Sequence, residues 1–128
     1  MKLLLDTHTF LWWITDDARL SDTARKAIAE RNNEVFFSAV SAWELAIKAG
    51  IGKLQLKENL SQFVHEHVLK NQFTPLPLSL DHALRVRNLP PHHQDPFDRA
   101  LIAQAQVEGH CLVSRDSDIR RYSVDVVW

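Results

Sequence analysis

At 128 residues the chain has the length of one domain, residues 1–128, large enough to bury most of its apolar surface without staples. Its one cysteine, Cys111, excludes an intramolecular disulfide, argues against a cysteine-based zinc site and suits a reducing compartment. A net charge of −1, from 15 basic and 16 acidic residues, argues against an avid non-specific nucleic-acid binder, although acids gathered at one cation site would leave a mildly basic remainder. Lys2 is the only basic residue of the opening segment, and no apolar run approaches the ~20 residues of a membrane span, so the chain reads as cytoplasmic and soluble.

The first strand is Met-Lys-Leu-Leu-Leu. Three consecutive leucines without polar alternation predict a central strand covered by helices on both faces, with Asp6 at its carboxyl end. Thr7–Ile14 predicts a short buried helix, and Ser21 caps an amphipathic helix through Ala24, Ala27 and Ile28 that ends at Asn32-Asn33. Val35–Ser38 is the second strand. Ser41-Ala42-Trp43-Glu44 opens the next helix, which Gly50 or Gly52 closes. Leu60–Leu69 has helical spacing; Phe73–Leu78, broken by Pro75 and Pro77, predicts an edge strand; and Asp81–Val86 predicts a short helix. Asp95 is a cap candidate with Pro96 at the first helical position, and the helix runs to Gly109. Cys111–Ser114 is the fourth strand, Arg115–Tyr122 a loop or short turn, and Val124–Trp128 the fifth strand. The alternation predicts an α/β fold, a three-layer α/β/α sandwich with a mainly parallel sheet of about five strands.

Four acids follow strands or open helices: Asp6, Glu44, Asp98 and Asp116. Each has an innocent reading: Asp6 as a cap, Glu44 in a capping box with Ser41, Asp98 favouring a helix dipole, and Asp116 as a turn residue. Their joint placement weighs against four coincidences, because the strands of a parallel sheet all end on one edge, where ligands bind in open α/β folds. Two carboxylates ~4 Å apart repel by about 4 kcal/mol at an effective dielectric near 20, so four need protons or a divalent cation. Oxygen donors without Cys or His point to Mg²⁺ or Mn²⁺, and such an ion activates water for attack on a phosphodiester.

The motifs Leu4-Leu5-Asp6-Thr7-His8, Ser41-Ala42-Trp43-Glu44, His93-Gln94-Asp95-Pro96-Phe97-Asp98-Arg99 with Leu101-Ile102-Ala103-Gln104-Ala105, and Val113-Ser114-Arg115-Asp116 occur in one order across the whole chain. On these the sequence resembles the PIN-domain ribonucleases, and more closely the VapC-type toxins of bacterial toxin–antitoxin pairs. The resemblance implies a parallel sheet with strands one and four side by side. It also implies that Asp6, Glu44, Asp98 and Asp116 are both the catalytic residues and the metal ligands of a Mg²⁺- or Mn²⁺-dependent endoribonuclease leaving 5′-phosphate and 3′-hydroxyl ends. A homodimer and a cognate antitoxin are implied as well; the chemistry of a crowded acidic pocket predicts that the antitoxin lays an apolar segment against the tryptophan-rich surface and inserts an Arg or Lys toward the four acids.

His8, Arg99 and Arg115 are candidate substrate-binding residues, with Arg120 and Arg121 as further phosphate contacts; a solvated charged face is the alternative. His92 and His93 lack the spacing of a helical zinc site. Trp43 reads as core, and Leu11, Trp12, Trp13, Val40 and Trp43 as an apolar load large enough for association. Two other functions fit parts of the sequence. A haloacid-dehalogenase-like phosphohydrolase would use Asp6 as nucleophile but wants a second Asp where His8 stands. A non-catalytic binding domain would use Trp12, Trp13 and Trp128 but leaves the acid quartet without a purpose.

Overall fold

The computed structural model describes residues 1–128. Five parallel strands form one sheet: β1 (Lys2–Leu5), β2 (Glu34–Ser38), β3 (Thr74–Leu76), β4 (Cys111–Val113) and β5 (Val126–Val127), in the order β3-β2-β1-β4-β5. The helices are α1 (Thr7–Ile14), α2 (Asp22–Ala29), α3 (Ala39–Gly50), α4 (Leu60–Lys70), α5 (Leu80–Arg85) and α6 (Pro96–Glu108), with 3₁₀ turns at Val86–Asn88 and Ile119–Arg121.

The three leucines of β1 explain the layering. Each is fully buried, and their side chains alternate across the sheet. Leu3 and Leu5 join Phe10, Trp12, Ile28, Phe37 and Phe63, the core under α1, α2 and α4. Leu4 joins Phe36, Leu101, Ile102 and Leu112, the core under α6. α3 serves both layers, giving Leu45 to the first core and Val40 to the second. Full burial of each leucine stabilises the fold by about 2 kcal/mol, so β1 is fixed centrally by two cores at once.

Pro75 confines β3 to the edge, where a missing N–H costs no ladder bond. The chain winds outward one way through β2 and β3 and the other way through β4 and β5, so the strand order reverses at β1. The crevice of such a sheet lies outside the carboxyl ends of the strands at this reversal, here β1 and β4.

Three expectations change. α3 begins at Ala39, with the Ser38 hydroxyl accepting from Val40 N–H, so the chain passes from β2 into the helix without a loop. Ser41 and Glu44 are therefore interior helix residues, and the capping box between them does not exist. Trp43 is 56% exposed, edge-on to Phe97, and is not core. The tryptophan-rich surface is also absent as an open patch. Trp12 and Val40 are buried, Trp13 donates its indole N–H to Asn71, and Trp128 packs at the rim of the core against Trp12. Trp43, part of the expected apolar load, is exposed, and Ile47 within α3 and Ile51 just after it extend that exposed face.

Candidate active site

A pocket of about 500 Å³ opens at the strand reversal, lined by Asp6, His8, Trp12, Arg19, His93, Asp95, Asp98, Arg115 and Asp116. A larger hollow of about 730 Å³ opens beside Glu30, Asn33 and Gln72 at the start of β2, the opposite edge of the sheet, and holds none of the candidate site residues.

Asp6, Asp98 and Asp116 are placed by backbone geometry. Asp6 follows β1 directly, is buried, and caps α1 by accepting from Thr9 N–H at 2.8 Å. Asp98 is the third residue of α6, whose first turn is set by Asp95 accepting from Phe97 and Asp98 N–H at 2.8 and 3.2 Å. Asp116 follows β4 and accepts from Asp118 N–H at 2.8 Å, while its own N–H donates to the Ser114 hydroxyl at 3.1 Å. The cap roles of Asp6 and Asp95 and the early helical place of Asp98 are thus real, and they coexist with convergence on one pocket.

Glu44 stands behind the others. It is 6% exposed, accepts from the Thr7 hydroxyl at 2.7 Å through Oε1, and pairs with Lys48 at 2.8 Å through Oε2. Its charge nevertheless reaches Asp98. Burial pushes the Asp98 carboxyl up to about 7, with the negative charges of Asp95, Asp6 and Glu44 adding to the rise and His93 opposing it. Sequence reasoning missed Thr7 and Lys48, the two groups that hold Glu44.

His93 was also missed as a member of the site. Its Nε2 lies 2.7 Å from Asp116 Oδ2 and 3.0 Å from Asp98 Oδ2. Asp95 N–H donates to its Nδ1 at 3.1 Å, which leaves Nε2 as the protonated nitrogen of the neutral ring. Burial disfavours the imidazolium, but the hydrogen bond to Asp116 and the charges of Asp98, Asp116 and Asp95 outweigh it and raise the His93 pKa. The available signal was its position two residues before the Asp95 cap, which is a loop feature and invisible to a search for helical zinc spacing.

The donor set fits a hard divalent cation. His93, Asp98 and Asp116 offer ligand atoms within 4.8 Å of one another, with Asp6 in the same pocket. Carboxylates dominate, and the burial and neighbouring negative charges that push the Asp98 carboxyl up to about 7 are a cost that a cation relieves.

Of the proposed substrate contacts, the structure brings His8 and Arg115 to the pocket and leaves Arg99 out of it. The Arg99 guanidinium is consumed by the carbonyls of Pro90, His93, Val86 and Leu89 and by the Tyr122 hydroxyl. It ties the loop before α6 to the helix, so the phosphate role expected of it is corrected to a structural one. Arg120 and Arg121 also lie outside the pocket lining.

The family model described as PIN domain matches residues 3–125. Ribonuclease VapC22 of Mycobacterium tuberculosis is 33% identical over 123 residues, covering 94% of this chain and 91% of that protein. Among solved structures, VapBC2 from Rickettsia felis, bound to a DNA fragment from its promoter, superposes with a TM-score of 0.73 at 16% identity over 98% of this chain and 97% of that one. A toxin–antitoxin complex from Klebsiella pneumoniae gives a TM-score of 0.66 at 18% identity, covering 98% and 96%.

Proposed function

Because the chain belongs to the PIN domain family, we propose that it is a metal-dependent endoribonuclease and the toxin of a toxin–antitoxin pair. The observation that carries this reading is the convergence of Asp6, Asp98 and Asp116 in one pocket at the strand reversal. The ribonuclease name of the 33% identical relative supports it. The haloacid-dehalogenase reading loses its footing, since Asp6 is engaged as the cap of α1 and shares its pocket with Asp98 and Asp116.

In this reading Asp98, Asp116 and Asp6 are the cation's carboxylate ligands, with His93 beside them and Glu44 balancing charge from behind. Bound there, Mg²⁺ or Mn²⁺ would lower the pKa of a water and neutralise charge on the phosphodiester. The protein's own contribution is placement. Asp95 aims Asp98 by capping α6, Asp118 N–H orients Asp116, and Thr9 N–H orients Asp6. Without a cation the Asp98 carboxyl is pushed up to about 7, so the fraction that is protonated near neutral pH must release its proton to become a ligand.

We extend the proposal to partners. The solved neighbours include VapBC and other toxin–antitoxin complexes, which supports a cognate antitoxin here. Its apolar segment finds no tryptophan-rich patch to lie on. The open apolar groove is instead between α3, α4 and β3, lined by Phe37, Ala42, Val64, Val68, Pro75 and Leu76. The exposed stripe of Trp43, Ile47 and Ile51 supports a homodimer.

The function is tested by incubating single-stranded RNA with purified protein and Mg²⁺ or Mn²⁺, with and without chelator. Wild type should cleave internally, stop with chelator and leave 5′-phosphate ends. Asp6→Asn, Glu44→Gln, Asp98→Asn and Asp116→Asn should each lower kcat at least a hundredfold, about 3 kcal/mol of barrier, while keeping the native circular dichroism spectrum. Chelator-resistant cleavage, or full activity in Asp98→Asn and Asp116→Asn, would overturn the reading.

A further inference from the structure

Resting on the ribonuclease reading, we infer that Arg19, Trp12 and Arg115 form a clamp that seats an RNA backbone phosphate beside the acidic end of the pocket. The pocket is divided by charge: Asp95, Asp98 and Asp116 gather around His93, with the charge of Asp6 reaching Asp98, while Arg19, Arg115 and His8 gather around Trp12. Both guanidinium carbons lie 5.0 Å from the centroid of the same Trp12 ring. Two cations on one indole repel each other, and an ordinary solvated arginine has no reason to accept that arrangement. The ring's π-face offsets part of the repulsion, and Asp17 holds one partner, accepting from Arg19 Nε at 3.0 Å and Nη2 at 2.8 Å.

Arg115 has no such anchor. No hydrogen-bond acceptor or carboxylate partner engages its guanidinium anywhere in the structure, in contrast to Arg99, whose donors are occupied. Its fork lies over Trp12 without a hydrogen bond, drawn also by the charge of Asp17, and presents its full set of N–H donors. It is also the residue next to Asp116, so the free fork and the acid leave β4 together. A planar, permanently charged fork with open donors beside a second arginine matches a phosphodiester, which accepts two parallel N–H bonds. The acidic end takes the cation and the scissile group; the arginine end takes a flanking phosphate. Trp12 is 8% exposed and acts as the positioning residue that orients both forks.

The clamp contributes binding shared by ground and transition states, so its loss raises KM and leaves kcat nearly unchanged. The test uses Arg19→Gln and Arg115→Gln, since a Trp12 variant would disturb the core. Cleavage kinetics are measured in otherwise wild-type protein. Binding of a labelled single-stranded RNA is measured by anisotropy in an Asp98→Asn background, which prevents turnover, across a salt series. Each variant should raise KM about tenfold and lower the slope of log K against log salt by about 0.7, the value for one phosphate contact on a single strand. Arg115→Lys should recover part of the slope but not the full affinity, and Mn²⁺ binding measured without RNA should not weaken in any of the three. Wild-type cleavage with unchanged KM and salt slope in both Gln variants would overturn the clamp and leave the ribonuclease reading standing. A fall in kcat at constant KM would also overturn it, and absence of cleavage by wild type would overturn both.

Discussion

His93 is where a single side chain alters the chemistry most. It stands between two carboxylates that would otherwise repel, and it is positioned by the backbone of Asp95 rather than by helical spacing. The residues that periodicity and placement could reveal were the acids; those that hold them, Thr7, Lys48 and His93, act through contacts between segments distant in sequence. A second histidine gives a prediction. His110 is buried, stacked on Phe36 at 4.2 Å, and its Nδ1 has no hydrogen-bond partner. Burial lowers its pKa, Lys2 and His82 lower it further, and Glu108 and Glu34 oppose the shift without reversing it. The unfolded chain therefore binds this proton at higher pH than the folded one. The stability His110 allows is present above its unfolded pKa of about 6.5 and is lost as pH falls from there through its lower folded pKa. Thermal melts from about pH 7.5 to about pH 5 should show wild type falling faster than His110→Leu, the gap widening on the acid side; parallel curves would refute this.

Among the elements, α6 shows how local chemistry and site geometry are joined. Asp95 caps it, Pro96 takes its first position, and Gly109 ends it with φ of 71°. The Asp95→Ala variant should cost about 1 kcal/mol, roughly 4 °C in melting temperature. It should also weaken cation binding, because the first turn that presents Asp98 would fray. A melting temperature and cation affinity both equal to wild type would show that the cap does not set the site. α6 was legible from its Asp-Pro start and Gly stop, and β1 from its leucine run, because those signals are local. The start of α3 was misread because Ser38 is both the last residue of β2 and the helix cap, leaving no loop to mark the boundary. Trp43 was misread because its ring meets Phe97 edge-on and otherwise stands open to solvent.

At the scale of the whole molecule, topology does what no single motif could. The reversal at β1 brings residues 6, 98 and 116 to one edge, and the order of strands was available only from the family resemblance, not from periodicity. The same scale holds the question of association. The expected load of Trp12 and Val40 is inside, while Trp43 and Ile47 lie one turn apart on the outside of α3, 56% and 41% exposed. Sedimentation of wild type at tens of micromolar, a concentration on the order of the weakest specific interfaces, should show a dimer, and Trp43→Glu with Ile47→Glu should show a folded monomer. A monomeric wild type, or a dimeric double variant, would move the interface elsewhere or remove it.

The proposed chemistry needs a cation held by the carboxylates at the reversal, and direct titration tests for it without reference to turnover. Mn²⁺ titrated into metal-free protein and followed by calorimetry should bind wild type, and tighter at pH 8 than at pH 6 as Asp98 releases its proton. Asp98→Asn and Asp116→Asn should each weaken binding at least tenfold, about 1.4 kcal/mol, with folding intact. Equal Mn²⁺ affinity in wild type and both variants, or no binding to wild type, would contradict the account at its centre.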